Sequence, residues 1–544
     1  MKKVLTILVA VLLSPQVLLQ NAGSYAADDA QEFQLPAKKT FRDIYNKSND
    51  IQTDKTNGVT GQHLKITVTP ADLPYPLLKY RFNTYVTEMK SGNAAPLYLE
   101  AAAKLENIRN MTLKDKVYNS PDYAKAKFPE LFNIPKEEKS EYNAIDKLLF
   151  KAFPIKRASK VLDEITAEQE ETLFHNLQSV YDLIERASKK RECDWSYLIR
   201  HEGLMTLLPH IDSASTLRDY LDYKAKWEIR NGKYGDAVKT IRLGIRFAEH
   251  IENSDFLCLV TLLYANAIKT RMLENIMLLS AQPHAPNLYP ALTQINKNKN
   301  TYKKGLQMEQ YAMLITANMQ KCQDLIERAD EISKEDCKML LETIATTLMV
   351  GMNSYNSGKD VRDRRDTTLT FVCSLCYPHG KARLLKRGLT EAEIDKLSVY
   401  QIVTPFIAEE IKAAYDKAIV LSVLPVDSKH TAIEIDTDNI HTGSPVDIYL
   451  GLLMPAITMA NNAFLRTEQL IDLLQITEAI RYYAAVNNGN LPESLDQIEQ
   501  LHVNKIGVVN NKPFAYRVEG NKVIIDFQYL LRSESRLEIT LDKK

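Results

Sequence analysis

Glycine is scarce in this chain, at 18 of 544 residues. Large β and α/β architectures turn often and tightly, and tight turns draw on glycine. The scarcity therefore argues against such a plan and suits long helices. Net charge is missing as well: 69 Lys and Arg stand against 69 Asp and Glu. A chain so balanced has no global field to steer nucleic acid or an anionic membrane. Two local basic runs exist, Lys189-Lys190-Arg191 and Arg362–Arg365. Acids flank both (Glu192; Asp360, Asp363 and Asp366), so each is expected as a solvated helix face. Tryptophan is nearly absent, with two residues against 27 Tyr. The tyrosines form no clustered stripe and are expected to pack between helices with their hydroxyls wet.

A long apolar run is also lacking. Phe256–Leu279 is interrupted by Lys269, Arg271 and Glu274. Ile448–Phe464 is short and holds Pro455, Asn461 and Asn462. A membrane span needs about 20 apolar residues, so both read as buried core helices. The N-terminus carries a shorter run. Met1-Lys2-Lys3 precedes the apolar stretch Val4–Leu13, Ser14-Pro15 ends it, and small residues follow at Ser24 and Ala26. This is the pattern of a secretory signal peptide cleaved after Ala26 or Ala27, which places the mature chain in the periplasm or cell envelope. Cleavage removes two Lys and leaves 67 basic against 69 acidic residues. No Cys precedes Cys193, so a lipid anchor at the new N-terminus is not expected.

What is present is helical periodicity. Four parts are expected: the signal peptide 1–26; an irregular or extended segment with the first helices, 27–139; a helical body, 140–443; and a C-terminal helix with a small antiparallel sheet, 444–544. The fold class is mainly α, a helical-hairpin body of repeat-like character with a small α+β C-terminal module. His63–Thr69 alternates as a strand. Thr166 and Gln169 have capping-box spacing, and Leu173, Leu177, Val180 and Ile184 follow as one helix face. Thr390-Glu391-Ala392-Glu393 is a second box, stapled by Leu389 and Ile394. Thr404-Pro405 is expected to start another helix. Arg466–Asn488 is a helix stopped at Asn487-Asn488-Gly489. Three alternating stretches, around Tyr516, Ile525 and Ile539, form the sheet.

Trp227-Glu-Ile-Arg-Asn-Gly232-Lys-Tyr234-Gly-Asp-Ala237-Val238 resembles the turn of a tetratricopeptide hairpin, with Ile241, Ile245, Ala248 and Ile251 as its buried face. No second copy is evident, and a plain αα-hairpin is an equal alternative. Asn93-Ala-Ala-Pro-Leu97-Tyr98, Leu207-Leu208-Pro209-His210, Gly235-Asp-Ala-Val, Leu453-Met-Pro455-Ala and Gly489-Asn-Leu-Pro492-Glu-Ser-Leu495 together resemble a group of uncharacterised exported proteins of planctomycete-type bacteria. That resemblance implies compartment and lineage but no site. Tyr483, Gly489, Pro492 and Leu495 are similar in order to the globular end of type II secretion pseudopilins. The segment is internal and lacks their N-terminal membrane helix, so filament assembly is not implied.

Chemistry is sparsely marked. Cys373-Ser-Leu-Cys376 is the sole Cys-x-x-Cys, and the pair is a candidate disulfide or a pair of buried thiols. Metal binding and redox catalysis are its alternatives, but no second Cys pair and no βαβ context support them. Cys193, Cys258, Cys322 and Cys337 are scattered, and His379 misses the haem-attachment spacing. His201-Glu202 opens like a zinc-protease motif, but position 205 is Met205, and His210 lies off the needed face. Glu168-Gln169-Glu170-Glu171 and Glu409-Glu410 are expected to be solvated. Catalytic, cofactor-binding and metal-binding residues are left unassigned, and no cofactor is implied. The leading expectation is a non-enzymatic binding or scaffold protein that meets other envelope proteins, with no nucleic acid partner and no membrane span after signal removal. An exported hydrolase assembled from distant residues and a thiol–disulfide protein using Cys373 and Cys376 are the alternatives.

Overall fold

A computed structural model describes residues 52–54, 61–105, 167–195, 208, 210–254, 258–295, 297, 299–316, 333–339, 341–342, 361–423, 445–530 and 533–542. In chain order the elements are β1 (Gln52–Asp54), β2 (Gly61–Val68), β3 (Lys90–Asn93), α1 (95–105), α2 (Ala167–Asn176), α3 (Gln178–Ser188), β4 (Lys190–Glu192), α4 (His210–Arg230), α5 (Tyr234–Glu252), α6 (Leu259–Ser280), α7 (Lys299–Thr316), α8 (Val361–Lys386), α9 (Val399–Val423), α10 (Pro445–Val486), β5 (Ala515–Glu519), β6 (Lys522–Leu530) and β7 (Ser533–Leu541). The protein is mainly helical with a small C-terminal sheet, as composition and periodicity predict. The signal segment, Thr166, His201, Glu202, Met205 and Cys322 lie outside the described residues.

The body is built around α6. Most of its residues are buried, and Arg271 and Glu274 mark the one edge that reaches solvent. The helices α4, α5, α7 and α10 pack around it. This is the core helix expected over Phe256–Leu279, and no described helix is long and apolar enough to cross a membrane. Between α4 and α5 the chain turns at Gly232, whose φ of 69° lies in the left-handed region that favours glycine. Beyond that turn Ile241, Ile245, Ala248 and Ile251 are buried on α5 as predicted.

Two local expectations need correction. Thr404-Pro405 does not start a helix: α9 begins at Val399, Pro405 sits inside it, and buried Thr404 donates its hydroxyl to the Cys337 carbonyl at 3.2 Å. Ile448–Phe464 and Arg466–Asn488 are one helix, α10, about 63 Å long at 1.5 Å per residue. The Thr390 capping box is present, with Leu389 packed beside Ile394. Helix α10 stops at Asn487–Gly489, where Asn488 and Gly489 take positive φ and the Gly489 amide bonds the Ala484 carbonyl.

The C-terminal strands form the expected antiparallel meander β5–β6–β7, with Gly520-Asn521 as its two-residue first turn. The sheet extends further than the meander. Its order is β1-β2-β7-β6-β5, and β2 runs parallel to β7, with Ile66 opposite Ile539. Val523, Ile525, Leu537 and Ile539 bury against Ile476 and Ile480 of α10, and Ile66 and Val68 complete that core. The N-terminal segment and the C-terminal module therefore share one sheet.

A buried polar knot ties the sheet to the body. Arg481 and Glu478 on α10 are both fully buried and ion-paired at 2.9 Å. Arg481 also donates to the carbonyls of Thr69 (3.0 Å) and Ala285 (2.7 Å), and the Leu288 amide donates to Glu478 at 2.9 Å. Charges this deep persist because nearly every donor and acceptor is met.

Candidate functional site

Cys373 and Cys376 are buried side chains one turn apart inside the 26-residue α8. A thioredoxin-type pair sits where a strand gives way to a helix start, which activates the first thiol. Here burial pushes the Cys373 thiol up to about 11, away from the reactive thiolate. The other described cysteines, Cys193, Cys258 and Cys337, are also buried, and burial pushes each up to about 12. His379 stacks on Phe406, with ring centroids 5.6 Å apart. Among the described residues no group of three His, Cys, Asp or Glu side chains is placed to hold a metal ion.

Glu168, Glu171, Arg191 and Glu410 are exposed as expected, but other members of these runs have distant partners. Glu170 is buried, accepts the Tyr223 hydroxyl, and pairs with Arg230 at 2.6 Å. Glu409 is gripped by Arg383 and Arg387. Lys190 belongs to β4 rather than to a helix, and its ammonium bonds the Ser91 carbonyl at 2.9 Å. In each case a tertiary partner from a distant segment overrides the local pattern.

One Cys–His–Tyr cluster is assembled from far apart. The Tyr98 hydroxyl lies 2.9 Å from His250 Nδ1, and His250 Nε2 lies 3.0 Å from the Lys190 carbonyl. A carbonyl only accepts, so Nε2 carries the proton and Nδ1 takes the Tyr98 hydroxyl. Burial, helped by the Arg246 guanidinium, pulls His250 down to about 3. A neutral imidazole that resists protonation makes a poor acid–base catalyst, and the nearby Cys193 thiol, pushed up to about 12, makes a poor nucleophile. The cluster binds α1 to α5 and the β3–β4 ribbon.

The described concavity lies elsewhere. A cleft of about 540 Å³ opens between α2 and α3 on one wall and the first three turns of α5 on the other. Helix α4 supplies its floor through Lys224, Trp227 and Glu228, which share one helix face at i, i+3 and i+4. Phe174 and Trp227 pack with centroids 4.8 Å apart. The Lys224 ammonium sits 5.1, 4.8 and 5.5 Å from the rings of Phe174, Tyr181 and Trp227. It pairs with Glu228 at 2.9 Å, and Thr240 donates to the same carboxylate at 2.6 Å. Burial raises the Glu228 carboxyl above its ordinary value, against the pull of Lys224. Burial likewise raises the Tyr181 phenol. On the rim, exposed Lys239 pairs with Asp236 at 3.0 Å.

The cleft offers aromatic faces and charges of both signs at one place, within the size range of small-ligand pockets. Sequence reading named Trp227 only as part of a hairpin turn and missed Phe174, Tyr181 and Lys224 as its companions. The i, i+3, i+4 spacing on α4 was the available signal. No protein-family model, curated protein or solved structure matches the chain.

Proposed function

We propose that this chain is an exported, non-enzymatic binding or scaffold protein whose ligand lies in the cleft between α2–α3 and α5. The observation that carries the reading is the cleft itself, with aromatic rings and charges of both signs around one volume. From Lys233 to Leu243 the α5 wall runs about 15 Å at 1.5 Å per residue. That length accepts roughly four residues of an extended chain at about 3.3 Å each. A short segment of an envelope partner is the ligand that fits, and the α4–α5 pair is the tetratricopeptide-like hairpin that presents it.

Export rests on the N-terminal leader. The interior position of Cys373 and Cys376 in α8 gives the thiol–disulfide alternative no support.

A photo-crosslinking residue at Gln178, an exposed position of the cleft lining, tests the binding role. It is expected to capture an envelope partner, whereas the same residue at exposed Phe371 on α8 captures none. Equal capture at both positions, or none at Gln178, overturns the reading. Sequencing of the secreted product is expected to begin at Ala27 or Asp28, and a retained leader overturns export.

A further inference from the structure

Two of the chain's own ammonium groups rest on the aromatic cluster of the cleft, and they differ in kind. Lys224 is buried and locked to Glu228 at 2.9 Å. Lys233, at the N-cap of α5, is exposed, and its ammonium lies 4.3 Å from the centre of the Trp227 ring. Among the described residues no carboxylate comes within ion-pair distance of Lys233. Only the negative face of the indole holds it there. A long side chain held by one weak contact gains rotamer freedom on leaving, so little opposes its displacement.

The same lining carries an acid in the complementary situation. Glu171, exposed on α2, has no ion-pair partner among the described residues. The other acids of the lining are engaged: Glu228 by Lys224, Glu185 by Lys189 at 2.6 Å, and Asp236 by Lys239.

We propose that Lys233 is an internal placeholder on Trp227, and that the cleft takes an alkylammonium group of its ligand onto that ring face, with Glu171 as counter-charge. This inference rests on the cleft being the ligand site. The ammonium can arrive on a lysine side chain of an extended peptide or on a polyamine, and the chemistry recognised is the same. The sign of one mutational effect separates this from an anion site. If Lys233 competes with the ligand, removing it tightens binding. If Lys233 grips an anion, removing it loosens binding.

The test is calorimetric titration of the full mature chain with three probes: spermidine, N-acetyl-Gly-Lys-Gly amide and N-acetyl-Gly-Glu-Gly amide. At least one ammonium probe is expected to bind, and the glutamate peptide is not. Lys233→Ala is expected to tighten binding roughly threefold, and Glu171→Gln and Trp227→Phe to loosen it by a similar factor. Both Lys233 and Glu171 are exposed, so their variants keep the fold whatever Trp227→Phe does. Binding of spermidine alone assigns a polyamine, and binding of the lysine peptide alone assigns a side chain. Failure of both ammonium probes, or looser binding in Lys233→Ala, overturns the inference. If the Gln178 crosslinker still captures a partner in that event, the cleft remains the ligand site and only its ligand class falls.

Discussion

Arg481 grips both carboxylate oxygens of Glu478 at 2.9 Å, three residues away on α10, with neither side chain reaching solvent. The pair faces segments around Thr69 and Ala285 and so joins three stretches of chain. Arg481→Met strands a buried carboxylate and is expected to cost about 3–5 kcal/mol in urea unfolding. The double variant Arg481→Met/Glu478→Leu should recover part of that loss, because no lone charge remains. A single-variant loss under about 1 kcal/mol would show that the knot is dispensable.

His250 sets an acid limit on stability. Its folded value near 3 lies below the ordinary 6.5, so the unfolded chain binds a proton that the native chain refuses. The associated stability is complete above pH 6.5 and is lost as pH falls toward 3, with a slope of up to about 1.4 kcal/mol per pH unit. Urea unfolding between pH 7 and pH 4 should show this slope, and His250→Gln should flatten it. An NMR titration that finds His250 charged at pH 5.5 would contradict the assignment.

Helices α8 and α9 cross closely at Gly380. A Cβ there would lie 2.5 Å from the Ile402 carbonyl oxygen, which is backbone and cannot swing aside. Gly380→Ala should therefore cost about 1–3 kcal/mol and lower Tm. Gly232 has open space around it but a φ of 69°. Gly232→Ala should cost only about 1–2 kcal/mol, from backbone strain alone. A Gly380→Ala variant as stable as the parent would sink the packing argument.

The five described thiols should stay silent to a thiol reagent in the native protein at pH 8 and react fully in denaturant without reductant. Mass spectrometry after alkylation would reveal a Cys373–Cys376 bridge as two unlabelled positions.

Much of this fold is legible in the sequence because its signals are local. Leu470 to Tyr483 repeats at helical spacing, Thr390 carries its own cap, and Val523, Ile525 and Phe527 alternate. What the residues could not show are the pairings set by tertiary contact. Nothing near Glu170 announces Tyr223 and Arg230, and nothing near His63 announces a partner strand at Arg536. Thr404-Pro405 misled because the pair reads locally as a helix start, while the helix begins six residues earlier and carries Pro405 inside it. The cleft was half visible: Lys224, Trp227 and Glu228 share a face of α4, while Phe174 and Tyr181 come from helices more than 40 residues earlier.

The parallel pairing of β2 with β7 sets an order of events during biosynthesis. His63 meets Arg536 across 473 positions, so β2, which has β1 on one edge, waits on its other edge until the last strand is made. Closing so long a loop is slow, and the helical body, rich in nearer contacts, has time to condense first. The sheet is then a late clasp, and a product cut short of Ser533 would keep its helices while leaving Ile66 and Val68 without the neighbour that shelters them.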